Sequence, residues 1–168
     1  MFETIVWATD GSEAADRGLP YVRELAGTFG AKVIVAHSEE FLLGPRAGGQ
    51  PVHVDEDDLQ AKIKRQVEEL GDAGVDAKWK LIGGPSLEGA AHMVAEVARQ
   101  AGADLIVVGT RGRTALAGLL VGAVTQRLLH IAPCAVLGFR RHDSVRAAPV
   151  AMPLRQRRPR AEPDTCFS

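Results

Sequence analysis

Glycines at a fixed spacing follow a short apolar run, and together they could bind an anion. Leu105–Val108 leads directly into Gly109–Gly112, and Gly122 comes after nine further residues. This pattern predicts a buried strand, a glycine loop and then a helix over Ala123–His130. The N-terminus of a helix presents free backbone N–H groups and the positive end of the helix dipole, which are suited to phosphate.

Side chains close to these glycines could complete a phosphate site. The guanidinium of Arg111 or Arg113 could neutralise phosphate charge, and the hydroxyl of Thr125 could donate a hydrogen bond to it. Gly109 and Gly112 would let the backbone approach a ligand closely and adopt unusual dihedral angles. The competing interpretation is that two glycines separated by two residues occur by chance in many loops.

A second polar turn lies far upstream, where the predicted strand Thr4–Ala8 ends. Its residues are Thr9, Asp10, Gly11 and Ser12. A carboxylate is a poor neighbour for phosphate without a metal, so we expect Asp10 to accept hydrogen bonds from ribose hydroxyls or adenine. The simpler alternative is a turn in which Ser12 caps the following helix.

Apolar periodicity predicts strands that alternate with helices. Continuous apolar runs are typical of parallel strands covered on both faces, whereas alternation suits an edge strand. The runs lie at 5–8, 33–36, 105–108 and 135–137, and the alternating segment at 77–82. We predict an α/β fold: a three-layer, doubly wound, Rossmann-like parallel sheet of five strands.

Helical stripes separate these strands. Pro20 should kink the first helix, because it lacks a backbone N–H. The second helix has Leu59, Ile63, Val67 and Leu70 on one face, and the third has a stripe of small and apolar residues over Leu87–Ala101. If the strand order is 3-2-1-4-5, it reverses between the strands that end at Asp10 and at Gly109. Ligands of such sheets bind at the reversal, so the two turns converge on one crevice.

Composition narrows the class of protein. The chain has 168 residues, a net charge of −1 and two cysteines, Cys134 and Cys166. These values favour one cytoplasmic domain without a disulfide framework, and without a bias towards nucleic acid or membranes. The first residues enter a strand without a signal peptide, and the weakly polar stretch Ala115–Val124 is too short to span a bilayer.

Two segments fall outside the alternating pattern. Phe41–Asp58 is long for a connection and contains an acidic run, which could form a lid or an insertion or place negative charge at a helix N-terminus. Arg141–Ser168 has six arginines and four prolines, which predicts a disordered basic tail after a domain of residues 1–140. The tail lacks the aromatic residues of a nucleic-acid stacking surface, so we expect a solvated extension.

Other familiar sites are absent from the sequence. There is no P-loop sequence, no G-x-G-x-x-G after the first strand and no serine- and glycine-rich pyrophosphatase-type loop there. The five histidines are scattered without metal-ligand spacing, and no nucleophile and base pair is evident. We therefore predict no metal site and no catalytic residue.

The ordered segments resemble the universal stress protein family over about residues 1–140. They are A-T-D-G-S at Ala8–Ser12, a strand that ends in His37, G-G-P at Gly83–Pro85, A-D-L-I-V-V-G-T-R-G at Ala103–Gly112, and Gly122 through Leu137. Gly109, Gly112 and Gly122 match the glycines of the family spacing G-x2-G-x9-G-[S/T]. The resemblance implies strand order 3-2-1-4-5 and a homodimer joined through the fifth strand.

The resemblance also implies a ligand, ATP or AMP, with Mg as a companion ion. The nucleotide-binding candidates are Ala8, Thr9, Asp10, Ser38, Gly109, Arg111, Gly112, Arg113, Gly122, Ala123, Val124 and Thr125. Ala123 stands where the family has a hydroxyl residue, and Ser38 where it usually has an apolar residue beside the adenine. We expect these departures to weaken binding, with Thr125 retaining a hydroxyl.

Three functions are compatible with this resemblance. The first is a stress-response dimer whose interactions with a protein partner depend on the bound nucleotide. The second is a dimeric scaffold that has lost nucleotide binding, as Ala123 would suggest. The third is a slow ATPase, for which the sequence offers no general base.

Overall fold

Ten elements make up the part of the chain that the computed structural model describes, namely residues 1–38, 56–82, 89–110 and 121–140. Strands and helices alternate as the apolar periodicity predicts. In chain order they are β1 Thr4–Ala8, α1 Glu13–Asp16, α2 Leu19–Phe29, β2 Lys32–Ser38, α3 Glu56–Asp72, β3 Ala77–Ile82, α4 Gly89–Ala101, β4 Leu105–Gly109, α5 Ala123–Ile131 and β5 Ala135–Phe139.

All five strands are parallel and lie in the order β3-β2-β1-β4-β5. This confirms the predicted doubly wound sheet and its strand order. β1 is central, with β2 on one side and β4 on the other, and Ala8 is paired with Ala36 and with Val108. The carboxyl ends of β1 and β4 are therefore neighbours.

Both faces of β1 and β4 are buried, which explains their continuous apolar runs. Ile5 and Trp7 point to one face, where α2 and α3 pack in a cluster with Val22 and Ile63. Val6 and Ala8 point to the other, in the cluster that includes α4 and α5 residues. Alternate side chains of each strand enter different layers, so a strand that is buried on both sides has no polar face. The run predicted as buried in β5 is instead largely exposed, with Ala135 and Leu137 exposed and Val136 half-buried.

The first helical region is two helices, where a single kinked one was predicted. α1 ends at Asp16 and α2 begins at Leu19, with Pro20 in the first turn of α2. A proline is tolerated there because the first N–H groups of a helix have no intrahelical acceptor. The chain turns at Gly18, where a Cβ atom would lie 3.1 Å from both the Ala15 carbonyl oxygen and Val107.

β3 is an edge strand of the sheet, as predicted, and one of its faces is exposed to solvent. Lys78 and Lys80 are exposed, whereas Trp79 is half-buried beneath the Lys64 ammonium group, 4.9 Å from the ring centroid. Leu81, predicted on the covered face, is 39% exposed.

Among the described residues, no helix is long and apolar enough to cross a membrane.

Part of the predicted loop Phe41–Asp58 is helical. α3 begins at Glu56, so the end of the acidic run lies in its first turn, where negative charge is favourable. Ile63 and Leu70 of the predicted stripe are fully buried. Residues 41–55, the segment Gly83–Pro85 and the tail 141–168 lie outside the described residues.

Candidate functional site

The ends of β1 and β4 are neighbours at the carboxyl edge of the sheet. Because the register pairs Ala8 with Val108, Thr9 and Gly109 follow at the same level. α1 starts from the turn after β1 and packs against the end of β4. The predicted convergence of the Asp10 and Gly109 segments is therefore a property of the observed strand order.

Hydrogen bonds within the chain fix the turn after β1. The Thr9 N–H donates to the Ala36 carbonyl over 2.9 Å, and the Gly11 N–H donates to Thr9 Oγ1 over 3.1 Å. The Ser12 N–H donates to Asp10 Oδ1 over 3.0 Å. Gly11 has φ +70°, in the left-handed region that favours glycine. The turn is thus rigid, and one oxygen of the Asp10 carboxylate is held within it.

Ser12 caps α1, as the simpler interpretation of this turn predicts. Its Oγ accepts a hydrogen bond from the Ala15 N–H over 3.3 Å. The Trp7 indole N–H also donates to the Ala15 carbonyl, over 3.2 Å. The bond from Trp7 ties α1 to β1.

His37 supports the turn from β2, which the sequence did not predict. Its side chain is only 2% exposed, and its Nδ1 lies 2.9 Å from the Thr9 carbonyl oxygen. A carbonyl oxygen only accepts, so Nδ1 carries the proton. The sequence signal for this role is the position of a histidine at the end of a buried strand. Metal-ligand spacing, by which the histidines are assessed above, does not detect it.

Gly109 has a packing role that the sequence did not predict. It lies in β4 without a positive φ, so the prediction of unusual dihedral angles is wrong at this position. A Cβ atom here would be 2.8 Å from the Ala15 nitrogen and 3.0 Å from the Ala14 carbonyl carbon. The missing side chain therefore admits the backbone of α1, and the predicted approach of a ligand to Gly109 stays a prediction.

The N-terminus of α5 has no side-chain cap. Gly122 is the N-cap, with φ −69° and ψ 156°, and the first turn contains no acidic residue. The first intrahelical bond of the cap runs from the Gln126 N–H to the Gly122 carbonyl. The N–H groups of Ala123 and Val124 therefore precede the helical hydrogen bonds, and both residues are exposed.

Thr125 fastens α5 to the end of β4. Its side chain is 4% exposed, and its hydroxyl donates to the Gly109 carbonyl over 2.8 Å. A hydroxyl has one proton to donate, so donation to a phosphate would require this bond to be given up. The predicted phosphate role of Thr125 stays a prediction.

Thr110 joins the remaining elements of this edge. Its N–H donates to the Phe139 carbonyl over 2.7 Å, and its carbonyl accepts from the Gly122 N–H over 2.6 Å. Its hydroxyl is buried and has no hydrogen-bond partner among the described residues. This residue fixes where α5 begins relative to β4 and β5.

Four further candidates are Ser38, Arg111, Gly112 and Arg113. The backbone of Ser38 is paired with Ile82 at the carboxyl edge of β2. Arg111, Gly112 and Arg113 lie outside the described residues. Within the described segments, no group of three His, Cys, Asp or Glu side chains could hold a metal ion.

A surface groove of about 530 Å³ lies elsewhere, beside β3 and α4. His92, Glu96 and Arg99 of α4 contribute to its wall together with Lys80. Of the candidate residues that the structure describes, none lines this groove. The polar turns at the sheet edge, where hydrogen-bonding groups converge, are therefore the better candidate site.

Comparison with known proteins gives relatives along nearly the whole described region. A universal stress protein of Thermus aquaticus is 34% identical over 142 residues, which cover 82% of this chain and 98% of that protein. The solved structure of hypothetical protein MJ0577 of Methanocaldococcus jannaschii is 25% identical, with a TM-score of 0.69 over 86% of this chain and 99% of that one.

A further solved structure carries a ligand. It is a universal stress protein in complex with cAMP, 24% identical, with a TM-score of 0.59 over 82% of this chain and 96% of that one. At 24% identity, the structural similarity shows a shared fold and no more. The sequence model described as the universal stress protein family matches residues 1–140. The chain belongs to the universal stress protein family.

Proposed function

We propose that this protein binds an adenine nucleotide, ATP or AMP, between the carboxyl ends of β1 and β4. In this proposal it is a cytoplasmic stress-response protein, a dimer whose contacts with a protein partner depend on the nucleotide. The observation that carries the proposal is that the Asp10 turn follows β1 and that β4, its neighbour in the sheet, leads on to α5, whose N-cap Gly122 makes no side-chain cap. The Asp10 turn suits the nucleoside end of a nucleotide, and the N-terminus of α5 suits its phosphate end.

The phosphate end would lie at α5. Ala123 and Val124 are exposed residues whose N–H groups precede the helical hydrogen bonds, and no acidic side chain in the first turn competes for the helix dipole. By their place in the chain, Arg111, Gly112 and Arg113 remain candidates for the same end. Mg would accompany ATP there as its counterion.

The nucleoside end would lie at the turn after β1. The Ser12 N–H fixes the Asp10 carboxylate, which can accept hydrogen bonds from ribose hydroxyls. Ala8 and Thr9 form the floor of the crevice at the end of β1, and the backbone of Ser38 lies at the end of the adjacent strand. A relative of this fold has been solved with cAMP, which supports an adenine nucleotide as the class of ligand.

Ala123 should make binding weaker than in family members with a hydroxyl at this position. A hydrogen bond to a charged group is worth about 1.5–3 kcal/mol, or about one to two decades in affinity. Thr125 does not replace the lost group, because its hydroxyl already donates to the Gly109 carbonyl. The backbone N–H groups of α5 do not depend on this side chain and would still bind phosphate.

The proposed dimer would form through β5, an edge strand of the sheet. An unpaired edge is a template for a second strand, and a two-fold axis would pair β5 with its copy. Leu129 on α5 is 61% exposed and Leu137 on β5 is 36% exposed, so the same region offers apolar surface. Light scattering at micromolar concentration tests this, and a persistent monomer would contradict it.

Native mass spectrometry with and without Mg·ATP tests the function. We expect one adenine nucleotide per subunit in the wild type, and reduced occupancy in Gly122→Val, whose side chain would cover the N-terminus of α5. Lys78→Ala, at an exposed position on β3, is the control and should bind as the wild type does. A protein that stays empty at millimolar ATP would favour the scaffold, and release of phosphate with turnover would favour the ATPase.

A further inference from the structure

One face of α3 covers the turn that carries Asp10. Leu59, Lys62, Ile63 and Gln66 share this face, because residues three and four apart on a helix are neighbours. Ile63 is fully buried, and Leu59 packs against the same core cluster. A Cβ atom at Gly11 would lie 2.0 Å from Leu59 Cδ1, so α3 is in direct contact with the turn.

Lys62 makes the polar contact between α3 and this turn. Its ammonium group donates to the Gly11 carbonyl over 2.8 Å and to Asp16 Oδ2 over 2.5 Å. Gln66 donates to the other oxygen, Asp16 Oδ1, over 2.9 Å. Lys62 is thus held in place by Asp16, and its side chain is only 37% exposed. Partial burial strengthens such charged hydrogen bonds relative to those in water.

The Gly11 carbonyl belongs to the same peptide group as the Ser12 N–H. Lys62 therefore binds the oxygen of this peptide, while Asp10 Oδ1 accepts from its N–H. The peptide group is planar, so fixing its oxygen also fixes the direction of its N–H. The positive charge of the Lys62 ammonium group, bound to the carbonyl oxygen, also polarises the N–H and strengthens its bond to the carboxylate.

We propose that Lys62 is a positioning residue for the nucleotide site, which orients the Asp10 carboxylate through the Gly11–Ser12 peptide. This inference rests on the proposed nucleotide function. Lys62 then acts on the nucleoside end of the ligand alone. Through Lys62, α3 contributes to the proposed site, although α3 is remote in the chain from the Asp10 turn.

The test is calorimetric titration of Lys62→Met with adenosine, AMP and ATP. We expect affinity to fall about tenfold for all three ligands by the same factor, since only the nucleoside end is affected. Lys62→Arg should recover part of the loss. The matched control is Lys64→Met, two residues along the same helix, where the ammonium group lies over Trp79; its affinity should equal that of the wild type.

A double-mutant cycle with Asp10→Asn separates positioning from general destabilisation. If Lys62 acts through Asp10, the double variant should lose little more affinity than Asp10→Asn alone. Additive losses would overturn the proposal. A loss that grows from adenosine to ATP would also overturn it, because it would indicate direct contact of Lys62 with phosphate.

Failure of this inference is distinguishable from failure of the proposed function. If the wild type binds none of the three ligands, the proposed function falls and this inference falls with it. If the wild type binds and Lys62→Met binds equally well, only the role of Lys62 is wrong. Amide hydrogen exchange in the unliganded protein adds a check on folding: Ser12 should exchange faster in Lys62→Met, while amides of the central strands keep their protection.

Discussion

The two ends of the parallel sheet use aspartate in different ways. At the amino end, Asp104 Oδ2 accepts hydrogen bonds from the N–H groups of Glu3 over 2.7 Å and Thr4 over 3.1 Å, so the carboxylate joins β4 to β1. At the carboxyl end, Asp10 Oδ1 accepts from the Ser12 N–H two residues away. The first aspartate fastens two strands, whereas the second is fixed within a turn beside a crevice.

The difference follows from topology. In a parallel sheet with crossover helices, helices start at the carboxyl edge and end at the amino edge. α1 and α5 therefore both begin next to the Asp10 turn, and α5 begins without a side-chain cap. The amino edge instead receives helix ends, such as that of α2 at Gly30 with φ +65°. Free N–H groups that favour anions are thus concentrated at one edge.

Replacing each aspartate by alanine should separate binding from stability. Asp10→Ala should lower ATP affinity about a hundredfold, because two charged hydrogen bonds to ribose are worth about 3 kcal/mol or more. Asp104→Ala should leave the affinity unchanged and lower the free energy of unfolding. Titration calorimetry and urea denaturation measure the two quantities. Equal affinity in Asp10→Ala would remove Asp10 from the site.

Glycine substitutions test how closely α1 packs against the carboxyl edge. In Gly109→Ala the new Cβ atom would meet the backbone of Ala15, which cannot move aside as a side chain can, so we expect a loss of about 1–3 kcal/mol in unfolding free energy. Gly27→Ala is the control, since nothing lies within 4 Å of its Cβ position in α2. It should gain about 0.5–1 kcal/mol. Similar effects of the two substitutions in urea denaturation would contradict the packing role.

The sequence predicted the strands and the edge of the sheet proposed for the site, because these predictions depend on local signals. Continuous apolar runs indicated buried parallel strands, and glycines after two of them indicated the crevice. Ser12 was predicted as a cap because N-capping involves only a few successive residues. The family resemblance supplied the strand order, which periodicity alone does not determine.

The side-chain contacts that the sequence did not predict join residues that are distant in the chain. Thr125 pairs with Gly109 sixteen residues away, and His37 pairs with Thr9 twenty-eight residues away. Lys62 reaches Gly11 across fifty-one residues. The break in the first helix was missed for the same reason, since Gly18 is constrained by contact with Val107. None of these distances follows from spacing along one element.

Removing the Thr125 hydroxyl distinguishes its structural role from the predicted phosphate role. Thr125→Val leaves the buried Gly109 carbonyl without its donor, which should cost about 1 kcal/mol of unfolding free energy, while ATP affinity changes little. Thr125→Ser keeps the hydroxyl and should retain most of the stability. Thermal unfolding and ATP titration check both. A tenfold loss of affinity at unchanged stability would restore Thr125 as a phosphate ligand.

The smallest effect expected is the pH dependence of stability at the amino end. Hydrogen bonds from the Glu3 and Thr4 N–H groups hold the pKa of the Asp104 carboxyl below its ordinary value. Its unfolded-state pKa is then the higher of the two, so the unfolded chain binds the proton more readily in the window between them. The stabilisation by Asp104 is complete above the ordinary aspartate pKa of about 4 and is lost as the pH falls through the lowered folded-state value.

Urea denaturation of the wild type and Asp104→Asn between pH 7 and about pH 3 measures this contribution. We expect the wild type to be more stable by a constant amount at the upper end of the range, and this difference to shrink towards the acidic end. A difference that stays constant down to the lowest pH would show that the charge of Asp104 does not stabilise the link between β4 and β1.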